Sequence, residues 1–245
     1  MSKYRNPLPQ LSGDFFLTDG GMETMLLFHE GLDMPCFAAF DLLKDAASRN
    51  VVREYYRRYA AMAREKDLNF ILESATWRAS ADWGDRLGYD STALAAVNRQ
   101  SVEMLFDIRD EFETGAGKFV ISGCLGPRGD GYNPREMMDP KTAEDYHRVQ
   151  IASLREAGAD LITAFTITYA DEAIGLTRAA MAENMPVVIS FTLETDGSLP
   201  DGQPLKDAIG AVDAATGNGP AYYMINCAHP THFAGVLRGE GDWLK

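Results

Sequence analysis

Short apolar runs alternate with longer amphipathic stretches along this chain, and the runs end in polar or small residues. The first, Phe15-Phe-Leu-Thr-Asp19, passes into Gly20-Gly21. Asn69-Phe-Ile-Leu72 passes into Glu73-Ser-Ala-Thr-Trp-Arg-Ala-Ser80, and Lys118–Ser122 into the loop Gly123-Cys-Leu-Gly-Pro-Arg-Gly-Asp-Gly131. Further runs cover Asp160–Tyr169, Pro186–Phe191 and Tyr222–Ile225. Their β-forming composition predicts six strands, the last a buried parallel strand that delivers Asn226, Cys227 and His229 at its carboxyl end. Helices are predicted between them over Asp45–Lys66, Ser91–Glu113, Thr142–Ala157, Asp171–Asn184 and roughly Leu205–Ala215, with another starting at Thr231–Arg238. Val51, Tyr55, Tyr59 and Met62 recur at helical spacing in the first of these helices. Leu94, Val97, Val102, Leu105 and Ile108 do so in the second. Gly115-Ala-Gly117 breaks that second helix, and Gly158 stops the third.

Strand followed by helix, repeated, predicts an α/β fold with a parallel sheet. Polar residues at nearly every strand's carboxyl end suit a (β/α)8 TIM-type barrel, whose active site is built from those ends. Such a barrel needs eight units and typically about 250 residues. Six units are visible in these 245 residues, so a single barrel domain over 1–245, incomplete at its carboxyl terminus, is expected. A doubly wound open sheet is the other option, but no dinucleotide-type glycine fingerprint follows the first strand.

Composition adds exclusions. With 46% hydrophobic and 24% charged residues the chain reads as an ordinary globular protein. A net charge of −13 argues against nucleic acid and anionic membranes as partners. No apolar run approaches a membrane span, and Met1–Gln10 lacks a signal core. Three widely spaced cysteines, Cys36, Cys124 and Cys227, fit a reducing cytoplasm better than a disulfide framework.

On the residues alone, Cys227 is either a small buried hydrophobe or a metal-bound thiolate. Asp19 is either a turn residue before Gly-Gly or a ligand-holding carboxylate. Cys124, Cys227 and His229 could be imagined together as a Cys2His site, and Glu73 with Glu194 as proton-transfer carboxylates.

Four strand-end motifs occur in order: Asp19-Gly-Gly-Met-Glu-Thr24, Ser74–Ser80, Gly123-Cys-Leu-Gly-Pro127 and Ile225-Asn-Cys-Ala-His-Pro230. Together they resemble the homocysteine S-methyltransferase family over essentially the whole chain. The resemblance implies a (β/α)8 barrel holding zinc through three cysteine thiolates. Cys227 would be one of them, and the other two are expected beyond Lys245. It implies substrate binding by Asp19, Gly20, Thr76 and Trp77, with Asp19 helping to hold an amino-acid substrate. Where the family carries a Glu at the end of the fourth strand, this chain has Phe165-Thr-Ile-Thr168, and Phe165 cannot pair with an ammonium. Glu23, Glu73 and Arg78 are charges gained nearby.

The implied activity is zinc-dependent methyl transfer from a small-molecule donor to the thiol of homocysteine or a related acceptor, a step of methionine biosynthesis. The chemistry accounts for the metal, because the thiolate is the nucleophile and zinc deprotonates a bound thiol. The alternative is a zinc-free or non-catalytic barrel relative that binds a small molecule. With one of three thiolates, this chain by itself is expected to be a poor catalyst, and unpaired strand edges should favour self-association.

Overall fold

A computed structural model describes residues 2–113, 115, 117–238 and 243. Its strands are β1 (Phe16–Thr18), β2 (Asn69–Glu73), β3 (Phe119–Leu125), β4 (Leu161–Ile167), β5 (Val187–Phe191) and β6 (Tyr222–Ile225). They form one six-stranded sheet in the order β1-β2-β3-β4-β5-β6. The β1–β2, β2–β3 and β5–β6 pairings are parallel. Sequential order without a reversal is the winding of a (β/α) barrel; a doubly wound sheet would reverse at a switch point. The α/β class and six βα units therefore stand.

The helices are α1 (Met22–Thr24), α2 (Ala46–Glu65), α3 (Ala81–Arg86), α4 (Ser91–Phe112), α5 (Pro140–Ala157), α6 (Ala170–Ala182), α7 (Leu205–Thr216) and α8 (Pro230–Leu237). Asp45 and Asp90 cap α2 and α4, each accepting a backbone N–H with its carboxylate. Gly158, at φ 99°, ends α5 in the left-handed conformation expected of a C-terminal stop. The break after α4 involves Ala116, which lies outside the described residues. Gly117 is required there, since a Cβ would come within 2.7 Å of the Leu68 carbonyl. None of the described helices is long and apolar enough to cross a membrane.

The structure corrects three expectations. The buried stripe of α2 is Val52, Tyr55, Tyr56, Ala60 and Ala63, and Met62 is exposed. Small residues at 60 and 63 let the helix lie close, so the stripe rotates away from the bulkier Met62. β3 runs three residues further than expected and carries Gly123 and Cys124 inside the strand. Gly123 fits there because a Cβ would meet Leu154 at 2.9 Å and Ile162 at 3.0 Å. Finally, β6 is only half-buried, since β5 is its one neighbour in the sheet among the described residues.

The chain divides into two compact units. The first comprises 1–125 and 152–162, with β1, β2, β3 and the start of β4. The second comprises 126–151 and 163–245, with the rest of β4, β5 and β6.

Candidate functional site

In the first unit, chemistry gathers where β1 and β2 end. Asp19 follows β1, and α2 supplies three tyrosines beside it. The Tyr55 hydroxyl donates to the Gly20 carbonyl at 3.0 Å. The Tyr56 hydroxyl donates to the Glu73 carbonyl at 2.8 Å. Tyr59 lies under Gly20, where an added Cβ would stand 2.8 Å from its hydroxyl. Gly20 is therefore a glycine that Tyr59 approaches closely.

The loop after β2 is locked by a closed ring of hydrogen bonds. The Cys124 N–H donates to Ser74 Oγ at 2.9 Å, and the Thr76 hydroxyl donates to the Cys124 carbonyl at 2.7 Å. The Ser74 and Thr76 hydroxyls lie 2.6 Å apart. With Cys124 N–H on its acceptor side, Ser74 donates to Thr76. Thr76 is thus fully buried and its hydroxyl is committed. Trp77 is half-buried, with the Arg78 guanidinium 4.8 Å above its ring. Arg78 also stacks on Trp83 at 3.9 Å and donates to the Cys36 carbonyl, joining this loop to the segment after α1.

Three carboxylates and a thiol share this neighbourhood. Burial, then the Glu73 charge and more weakly Glu23, push Asp19 well above the usual carboxylate range; the nearby Tyr55 hydroxyl opposes the rise. Burial also raises Glu23, against the attraction of Arg78. The Cys124 thiol is pushed up by burial and then by Glu73, Glu23 and Asp19. A site of this kind disfavours anions and gains when a cation enters, because the cation offsets both desolvation and repulsion.

The second unit holds the end of β6. Asn226 uses its whole side chain there. Its Oδ1 accepts from the Thr166 N–H at 2.9 Å and from Ser190 Oγ at 2.8 Å. Its Nδ2 donates to Thr166 Oγ1 at 2.9 Å and to Cys227 Sγ at 3.2 Å. One amide thus ties the ends of β4, β5 and β6. Thr166 has φ 62° and Cys227 φ 53°, conformations unusual for a β-branched residue and for a non-glycine generally. Cys227 is exposed, so the buried-hydrophobe option for it is overturned. The reason is its position past the strand, on a left-handed turn. His229 caps α8, its ring nitrogen accepting from the Thr231 N–H. Glu194 is exposed in a turn closed by its own N–H to the Ser198 carbonyl.

One pair had no signal in the pattern. His147 and Glu172 are buried together at 2.9 Å, and Glu172 also accepts from the Arg128 N–H at 2.8 Å. The Met138 N–H donates to the Tyr169 hydroxyl at 3.0 Å. Both ends of the loop after β3 are thus fastened near the start of α6. His147 sits on a helix face where an apolar residue would read the same way, and only the fold brings Glu172 to it.

As a metal site the described residues are incomplete. No three His, Cys, Asp or Glu side chains among them gather into a metal-holding group. Cys227 offers one accessible sulfur, while Cys124 is buried and held protonated.

Comparison with known proteins places this geometry. Residues 16–241 match the family described as homocysteine S-methyltransferase. The chain is 28% identical over 218 residues to the homocysteine S-methyltransferase of Escherichia coli K12, covering 83% of this chain and 67% of that protein. Homocysteine S-methyltransferase 1 of Arabidopsis thaliana is 22% identical over 247 residues, covering 92% of this chain and 72% of the relative. The metallated form of the E. coli homocysteine methyltransferase MmuM matches with a TM-score of 0.74 at 25% identity, over 91% of this chain and 78% of that one.

Proposed function

The chain belongs to the homocysteine S-methyltransferase family, and from that premise we propose that it transfers a methyl group to the thiol of homocysteine or a close analogue. One barrel domain over 1–245 is part of this proposal, supported by a family match that runs through both units. The sulfur–methyl bond forms as the bond from methyl to the donor's onium centre breaks. The donor leaves neutral and the thiol proton goes to solvent. The product is methionine or its analogue, and three free cysteines support a reducing cytoplasmic setting.

The observation that carries the proposal is the Asp19 corner. A half-buried carboxylate, next to another carboxylate and to the backbone at Gly20 that approaches Tyr59 closely, suits the ammonium of an amino-acid acceptor. Thr76 is held by its bond to the Cys124 carbonyl, and Trp77 follows it in sequence. Phe165 adds no second carboxylate at the end of β4, which makes Asp19 the main anchor for the amino group.

Zinc would supply a deprotonated acceptor sulfur. Cys227 is the residue we assign to it, one thiolate where the family's site takes three. The remaining cysteines of these 245 residues do not complete the set. His229 is excluded as a ligand through the ring nitrogen that caps α8.

The test is zinc per chain together with thioether formation from homocysteine and sulfonium or quaternary ammonium donors. Cys227→Ser should lose most bound zinc and His229→Gln should keep it. Homocysteine binding without metal in the wild type would instead favour a zinc-free relative that binds a small molecule. Metal retained by Cys227→Ser would remove Cys227 from the proposal.

A further inference from the structure

The carboxyl end of β6 ties one residue down on every side before it delivers Cys227. The Asn226 backbone N–H donates at 3.1 Å to the carbonyl of Phe191, the last residue of β5. Its side chain is held as firmly. The backbone N–H of Thr166 can only donate, so the amide atom it meets at 2.9 Å is Oδ1. Ser190 Oγ takes the second acceptor position of that oxygen at 2.8 Å. The opposite atom is therefore Nδ2, which carries two hydrogens. One goes to Thr166 Oγ1 at 2.9 Å. The other goes to Cys227 Sγ at 3.2 Å.

Cys227 is the opposite case. It is exposed, past the strand and on a left-handed turn at φ 53°. A cysteine has three staggered χ1 positions, and an exposed one has little packing to choose among them. Among the described residues, Asn226 is the hydrogen-bond partner of its sulfur. We propose that Asn226 is a positioning residue for the Cys227 sulfur: β4 and β5 orient the amide, and its second N–H holds Sγ in one rotamer before any metal arrives. This rests on the assignment of Cys227 to zinc made above.

The direction of that N–H is set by Thr166 and Ser190, 60 and 36 residues away. The sulfur is thus aimed by strands to which it does not belong. A ligand already held in one rotamer gives up less freedom on binding. Supporting hydrogen bonds of this kind commonly change metal affinity by about 10–100-fold. The bonds at Oδ1 are different in kind. They join strand ends whatever the sulfur does, and only the bond to Sγ acts on Cys227.

Asn226→Asp separates the two roles. It keeps Oδ1 for Thr166 and Ser190, and it replaces the N–H facing the sulfur with a carboxylate oxygen that repels the sulfur's lone pairs. Two quantities are measured on the full chain. The first, without metal, is the order parameter of the Cys227 β-carbon in protein labelled only at its three cysteines. Wild type should stay near the ~0.85 of rigid backbone, and Asn226→Asp should fall below about 0.6. The second is the Zn2+ dissociation constant against a competing chelator at one fixed pH, which should weaken by about tenfold or more. A Cys227 as rigid in Asn226→Asp as in wild type, or zinc held as tightly, overturns the positioning role and leaves Asn226 as a structural tie. If rigidity is lost as expected but wild type binds no zinc, the hold on the sulfur stands and the assignment of zinc to Cys227 falls. Should Asn226→Asp fail to fold, wild type decides alone. A nuclear Overhauser contact between an Asn226 side-chain amide proton and the Cys227 β-protons supports the role, and its absence refutes it.

Discussion

At the residue scale, Asp19 is costly to the fold. Burial first, and Glu73 second, raise its pKa above the ordinary 3.8. The folded chain then binds a proton that the unfolded chain has released, and stability falls as pH rises between the two values. The favourable contribution is complete below 3.8 and lost as pH climbs through the raised value. Asp19→Asn removes this decline. It should melt higher than wild type at neutral pH, with the gap closing in acid below 3.8. Melting temperature against pH for both proteins checks it, and a gap that ignores pH would mean Asp19 is not in a low-water site. Binding sites commonly trade stability for function in this way. Asp19 was legible as a candidate from Asp-Gly-Gly after an apolar run. Tyr55 was read only as an apolar position of a helix, because a tyrosine's hydroxyl partner lies 35 residues away and leaves no local mark.

At the element scale, Asn226 is the knot of the second unit. Its four side-chain hydrogen bonds reach Thr166, 60 residues back, and Ser190, 36 back. Those bonds hold Thr166 at φ 62°, which a β-branched residue adopts only at a cost. Asn226→Ala should lower unfolding free energy by about 2–4 kcal/mol, as three part-buried bonds and one exposed bond are lost at once. Adding Thr166→Gly to that variant should recover part of the loss, since glycine takes the left-handed conformation freely. Denaturant unfolding of the single and double variants measures both effects. A further loss on adding glycine would show that Thr166 is not strained. The Asn-Cys turn itself was readable from sequence; its ties to two other strands were not.

At the scale of the whole molecule, the first unit is fastened by an element that the apolar pattern had passed over. Asp160, fully buried at the start of β4, accepts from the backbone N–H groups of Lys3, Tyr4 and Ile121 and pairs with the buried Arg109 at 3.2 Å. Tyr4 and Lys3 add bonds to Glu113. The amino-terminal segment, which composition alone described as polar and Pro-containing, is thereby strapped to the amino-terminal ends of β3 and β4. Asp160→Ala leaves Arg109 buried without its carboxylate and frees the strap. It should cost about 3–5 kcal/mol, read by denaturant unfolding, and expose the first residues to protease. A loss under about 1 kcal/mol would place the strap outside the cooperative unit.

By itself the sequence determined the succession of strands and helices, the sequential parallel winding and the strand-end positions of Asp19, Thr76 and Cys227. Those follow from hydrophobic period, caps and glycine stops, which act over a few residues. Only the tertiary structure decided that Thr76 is sealed in a ring with Ser74 and Cys124, that Cys227 faces water, that His147 meets Glu172, and that α2 grips two strand ends with adjacent tyrosines. A hydrogen bond between residues far apart in sequence depends on packing angles that no local pattern encodes, so the strands could be read and the partners at their ends could not.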